Sequence, residues 1–295
     1  MSSVVFSVPN QAQSTTLFME TRQVFGDLSV LPKAVVIDFS TLRFCRPPAV
    51  VFLSNLTHYL IRNGVRVSWR GLDEQRQAIR FLDDSLFFHQ HLGQRLNPGA
   101  CPRSTTRPLV EVRHTDSHAW IASDLIPWLQ GCSGLPSDAF AEFRTCMSEL
   151  FNNISDHTEF DVGSTFAQWY PNENRLQIAI ADFGRGIPDA VRTIEPDHDD
   201  QSAITRAFDE GFSSKSLPTN RGAGLHFLRQ NVLEHLGGSL RVSSGAGSVR
   251  FSKSGNSLRK ELYSGLGYCP GTMIEFDIRT DQIDFDDVGT VDFQW

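Results

Sequence analysis

Five short motifs follow one another in fixed order between residues 147 and 276, and few folds accommodate that order. The first lies in "MSELFNNISDHT", where Glu149, Asn153 and His157 stand four apart among Met147, Leu150, Phe151 and Ile154. On a helix running from Ser137 to His157 that spacing puts the three polar groups on one stripe. Burying such groups without partners costs roughly 2–7 kcal/mol each. The stripe must therefore face something polar. The second motif, "IADFGRGIPDAV", ends a strand at Asp182 and continues through Gly184, Gly186 and Ile187 into a short helix. An S-x-K at Lys215 is the third. The fourth, "NRGAGLHFLRQ", places Arg221, Gly222, Gly224 and Leu225 at the opening of a helix. The fifth is a strand beginning "GTMIEF", with Thr272 at its head.

Glycines at a strand end or helix start let backbone amides approach phosphate oxygens, and a helix N-terminus adds positive potential. Lys215 and Arg221 can supply charge to the same phosphates. Either glycine pair alone also fits an ordinary turn. The order of all five motifs is more specific than any one of them.

Composition narrows the remaining classes. The chain has 295 residues and 40% hydrophobic residues, enough for two domains with real cores. Its 27 Lys and Arg against 34 Asp and Glu leave a formal charge of −7, which disfavours a wide nucleic-acid surface. The five cysteines form no C-x-x-C pair, which argues against a zinc site or disulfide framework and for a reducing compartment. The N-terminal residues lack a signal-peptide pattern, and no apolar run reaches membrane-spanning length. The expectation is a cytoplasmic protein.

Two domains are expected. Residues 1–92 read as a β-α-β-α sandwich: "KAVVIDFSTL" is a buried strand, "RPPAVVFLSNLTHYLIRNG" a helix opened by proline and closed by Gly64, "VRVSW" a strand and "DEQRQAIRFLDD" a helix. His89 and His91 read as solvated. Residues 93–107, rich in Gly, Pro, Ser and Thr, read as a linker. Residues 108–280 read as helices followed by strands in an α+β sandwich with a mixed, largely antiparallel sheet. Residues 281–295 form an acidic tail.

Motif order across 108–280 resembles the ATP-binding (Bergerat) domain of the GHKL superfamily, which includes gyrase, ATP-dependent chaperones, histidine kinases and mismatch-repair ATPases. The resemblance implies ATP and Mg²⁺ as cofactors. It implies that Glu149 orients and deprotonates the attacking hydroxyl or water, and that Asn153 ligates Mg²⁺. Asp182 would accept from the adenine amine with support from Thr272, Gly184 and Gly186 would make room for the base, and Ile187 would pack near it. Residues 212–222 would form a lid, with Lys215, Arg221, Gly222, Gly224 and Leu225 around the phosphates. The spacing of Glu149, Asn153 and His157 is similar to that of anti-sigma-factor serine kinases.

The stretch "VVIDFSTLRFCRPPAVVFLSNL" resembles the STAS domains of anti-sigma-factor antagonists, but Arg46-Pro47-Pro48-Ala49 stands where that family carries its phosphorylatable serine. The resemblances together imply a signalling protein with a docking domain, a protein partner of STAS or sigma-factor-regulator type, and an optional homodimer. ATP would be hydrolysed, or its phosphoryl group passed to Ser or Thr of the partner. The rival readings are a nucleotide-gated binding switch without turnover, a histidine-kinase-like protein, and a DNA-associated ATPase.

Overall fold

The computed structural model describes residues 3–157, 162–212, 224–255, 257–263, 265 and 267–283, and the side chains of residues 153–157 and 162 lie outside the described part. In chain order the N-terminal unit comprises β1 (Val4–Ser7), β2 (Gln11–Ala12), α1 (Ser14–Phe25), β3 (Ala34–Asp38), β4 (Phe44–Cys45), α2 (Pro47–Arg62), β5 (Arg66–Arg70), α3 (Gln77–Asp84) and α4 (Phe87–Leu92). Then come β6 (Thr106–Arg113), α5 (His114–Trp120), a π-helical turn over Ile121–Leu125, α6 (Ile126–Ser133) and α7 (Ala141–His157). The chain continues through β7 (Val162–Tyr170), β8 (Arg175–Asp182), α8 (Gly186–Arg192), α9 (Asp200–Ala207) and α10 (Gly224–Glu234). It closes with β9 (Ser239–Gly245), β10 (Gly247–Ser254), β11 (Ser257–Tyr263) and β12 (Cys269–Arg279).

Helix α2 organises the whole arrangement. Arg46 is extended, Pro47 and Pro48 open the helix, and every residue from Pro47 to Thr57 is buried. A helix that is apolar all round must be covered all round. One side is covered by the parallel sheet β1-β3-β5 of its own unit. The other lies on β7 and β8 of the larger sheet. Small side chains at Ala179 and Ala181 let the helix come close, and Phe166 completes the shared core. Phe52 of α2 meets Phe18 of α1 edge-on at 5.2 Å, a geometry worth about 0.5–1.5 kcal/mol beyond its buried area.

The larger sheet has the order β11-β10-β9-β12-β8-β7-β6. Every neighbouring pair described in it is antiparallel, where the sequence suggested a mixed sheet. Period-2 alternation on β8 divides the two cores. Leu176, Ile178 and Ile180 face the layer containing α7, α9 and α10, and Ala179 and Ala181 face the N-terminal unit.

Several sequence expectations shift. The helix expected from Ser137 begins as a 3-10 turn over Ser137–Phe140 and becomes α-helical at Ala141. Strand β11 escaped the sequence reading because it is an edge strand whose two faces are both largely exposed, so no apolar alternation marks it. His91 is not solvated. It sits on α4 with its ring 4.8 Å from Phe87 and 4.5 Å from His58, and burial together with the His58 charge pushes its pKa down to about 3. Residues Gly93 to Thr105 form no helix or strand, yet they are held down: the buried Asp83 carboxylate accepts N–H bonds from Leu96 (2.9 Å) and Asn97 (2.8 Å). Most of the expected acidic tail, from residue 284, lies outside the described residues. Among the described residues no helix is long and apolar enough to cross a membrane.

Candidate nucleotide site

Asp182 closes β8 on the face that carries Ile178 and Ile180, and its antiparallel partner on β12 is Thr272. The carboxylate therefore points toward the helical layer, not the N-terminal unit. Two backbone donors hold it: the Gly184 N–H reaches Oδ1 at 2.7 Å, and the Thr272 N–H also donates. Burial outweighs them and pushes the Asp182 pKa up to about 6. A carboxylate held in this way can accept a further hydrogen bond through its remaining lone pairs.

The loop after Asp182 is fixed by Ser244 of β9, a fully buried residue. Its hydroxyl accepts the Ile187 N–H at 3.0 Å and donates to the Gly271 carbonyl at 2.5 Å. One side chain thus ties α8 to the start of β12. Gly186 takes φ +80°, and a Cβ there would stand 2.6 Å from Ser244 Oγ. Gly271 takes φ +66°, and a Cβ there would run into the Asp182 carbonyl oxygen. The bulge between Cys269 and Thr272 lets β12 keep its register around this contact. Ser244 and Gly271 were missed in the sequence reading. The available signals were "SSGAG" and "PGT", both ordinary turn or strand compositions.

Helices α8 and α9 are braced from the same side. Arg192 pairs with Asp189 and with Asp200, each at 2.7 Å, and Asp200 Oδ2 accepts the Ala246 N–H at 2.7 Å. Asp199 caps α9 by accepting the Ser202 N–H at 2.7 Å.

Glu149 lies half-buried on α7, beside a row of core residues that includes Met147, Leu150 and Phe151. Helix α10 packs along α7. His235 approaches Glu142 at 3.7 Å, and Asn231 hydrogen-bonds Cys146, so the two helices run antiparallel. Continuing that register sets residue 153 level with Gly224, the first residue of α10. The N-terminal end of an 11-residue helix thus lies beside the second polar position of the stripe. Leu225 packs on the helix-side core. Asn152, the neighbour that competes with Asn153 in the sequence, is turned to α5, where His114 Nε2 lies 2.8 Å from its Oδ1.

The remaining predicted residues cannot be placed in this way. The side chains of Asn153 and His157, and residues Lys215, Arg221 and Gly222 entirely, lie outside the described residues. The segment named as a lid begins at Phe212, over whose ring the Arg206 guanidinium sits at 4.9 Å.

A carboxylate at a strand end, glycines required on both sides of it, and a helix N-terminus across the layer fit an α/β sandwich of the GHKL type. Comparison with known families agrees: residues 140–262 match the family of histidine kinase-, DNA gyrase B-, and HSP90-like ATPases. That match, over residues 140–262, supports a GHKL-type ATPase/kinase domain in this part of the chain. The matched span includes Glu149, Asp182 and Gly224 but stops before Thr272, which enters the site through the β8–β12 pairing. No curated protein matches the chain.

Proposed function

We propose that this is an ATP-binding regulatory protein whose GHKL domain hydrolyses ATP or transfers its phosphoryl group to Ser or Thr of a protein partner. The observation that carries the reading is Asp182, enclosed at the end of β8 between the Gly184 and Thr272 amides. Its carboxylate suits the adenine exocyclic amine and selects against guanine. Gly184 and Gly186 leave room for the base, and Ile187 lies beside it. Glu149 orients and deprotonates the attacking hydroxyl or water. Gly224, Leu225, Gly222, Lys215 and Arg221 surround the phosphates. Mg²⁺, held through the Asn153 side chain, would neutralise phosphate charge. The donor set fits that role, since a single amide oxygen leaves the other ligand positions to water and phosphate.

The N-terminal unit is read as a STAS-like docking module. Its parallel β1-β3-β5 order with α1 and α2 as crossovers supports that reading. Its contact with β7 and β8 supports transmission of nucleotide state to the docking surface without a separate transducer.

Incubation of the full chain with γ-labelled ATP, with and without STAS-type candidate partners, tests the proposal. Released phosphate or a labelled partner is expected. Equal binding of ATP and GTP would refute the assignment of Asp182. Tightly bound, unconverted ATP would establish the gated switch instead.

A further inference from the structure

On the face of the large sheet away from the nucleotide site, a cleft of about 240 Å³ opens between the N-terminal unit and the strands β9, β10 and β12. Four arginines line it: Arg46, Arg175, Arg241 and Arg250. Two are neutralised. Arg175 pairs with Glu173 at 2.7 Å and Asp277 at 3.2 Å, and Arg250 lies 3.9 Å from Glu261. Arg46 and Arg241 have no carboxylate within ion-pair distance among the described residues. Each is instead stacked on a ring, Arg46 over Phe44 at 5.6 Å and Arg241 over Tyr263 at 4.8 Å. Stacking fixes a guanidinium in place and leaves its N–H edge available.

These two arginines come from different units, and the Glu275 and Glu261 charges act on Arg241. Arg46 is the residue before α2, and Arg241 projects from β9. The first residues of α1, Ser14 and Thr15, line the same cleft. Glu275 stands directly across the strands from Arg241, with its Oε1 buried and without a partner. Burial raises the Glu275 pKa against the bond from the Ser14 hydroxyl and the Arg241 charge.

We propose that this cleft binds a small phosphate-type oxyanion, held between Arg46 and Arg241. A dianion matches two guanidinium groups that make no ion pair within 4 Å among the described residues, and bidentate Arg geometry favours phosphate oxygens. Because the two arginines belong to different units, the bound anion would pin the N-terminal unit to the sheet. The site is separate from the nucleotide site, which lies on the opposite face, and does not depend on the ATP reading.

The test uses the full chain with inorganic phosphate and diphosphate as probes, followed by calorimetry and hydrogen exchange. Expected are saturable binding at millimolar phosphate or tighter, with slowed exchange in the first turn of α1 and in β9. Arg46→Gln and Arg241→Gln, made singly, should each weaken binding about tenfold, the loss of one charge-assisted bond. Glu275→Gln keeps the shape and removes a carboxylate from the cleft, and should bind phosphate at least as well as the unaltered chain. A loss of binding in Glu275→Gln would point to a cationic ligand and overturn the proposal. So would protection confined to the start of α10, succinate binding in place of phosphate, or phosphate affinity unchanged in both arginine variants.

Discussion

The ring of Phe183 lies 5.6 Å from that of Tyr59, so the residue following Asp182 rests on α2 of the N-terminal unit. It also lies 6.1 Å from Phe52. Asp182 faces the helical layer and Phe183 the opposite side, so one peptide separates the proposed nucleotide contact from the N-terminal unit. A shift of the Asp182 loop on ligand binding must move Phe183 against α2, because close-packed aromatic contacts do not absorb displacement gradually.

Phe183→Ala should therefore do two things. It should lower stability by roughly 1–4 kcal/mol, as expected for truncating a partly enclosed aromatic. It should also uncouple the units. Hydrogen exchange in α2 is expected to slow when ATP is added to the unaltered chain and to ignore ATP in the variant. An α2 response that survives the substitution would rule out this route.

Asp182→Asn puts an amide where the adenine amine needs an acceptor, and should weaken ATP binding by about 1.5–3 kcal/mol. It also removes a titration. Asp182 is raised from 3.8 to about 6 in the folded chain, so the folded state holds the proton more tightly than the unfolded one. Its stabilising contribution is complete below the unfolded value and is lost as pH rises through about 6. Thermal melts of the ligand-free chain between pH 4 and 7 should show this component, and the asparagine variant should lack it.

Glu149→Gln should leave ATP binding nearly intact while slowing turnover by about 10²–10⁴-fold, the usual scale for loss of a general base. Asn153→Ala should instead weaken nucleotide binding and raise the Mg²⁺ requirement. Titrations of both variants at fixed and varied Mg²⁺ separate the roles. Equal damage to binding from the two changes would contradict them.

Ser244→Ala leaves the Ile187 N–H and the Gly271 C=O without their shared hydroxyl in a buried place. A cost of about 1–3 kcal/mol is expected, together with weaker ATP binding as the loop loosens. Gly271→Ala should be worse, since it adds both backbone strain at positive φ and a clash with the Asp182 carbonyl. Denaturant melts and ATP titrations of the two variants check the ranking.

Local pattern and motif order were enough to place much of this protein. Helix α2 is announced by its prolines and its unbroken apolar run, β8 by a run ending in Asp182, and α10 by the glycines before Leu225. Each depends on residues close in sequence, whose backbone preferences and spacing act whatever lies around them. The tertiary structure decided the rest. Nothing in "PPAVVFLSNL" says that its second covering surface is the back of β7 and β8, some hundred residues later. Nothing near His91 predicts the His58, Phe87 and Trp69 rings that bury it. Ser244 gains its role only because β9 lies beside β12, bringing Gly271 and Ile187 within reach of one hydroxyl. Such contacts arise from which faces the chain brings together, and a serine or histidine has the same local preferences whether that partner arrives or not.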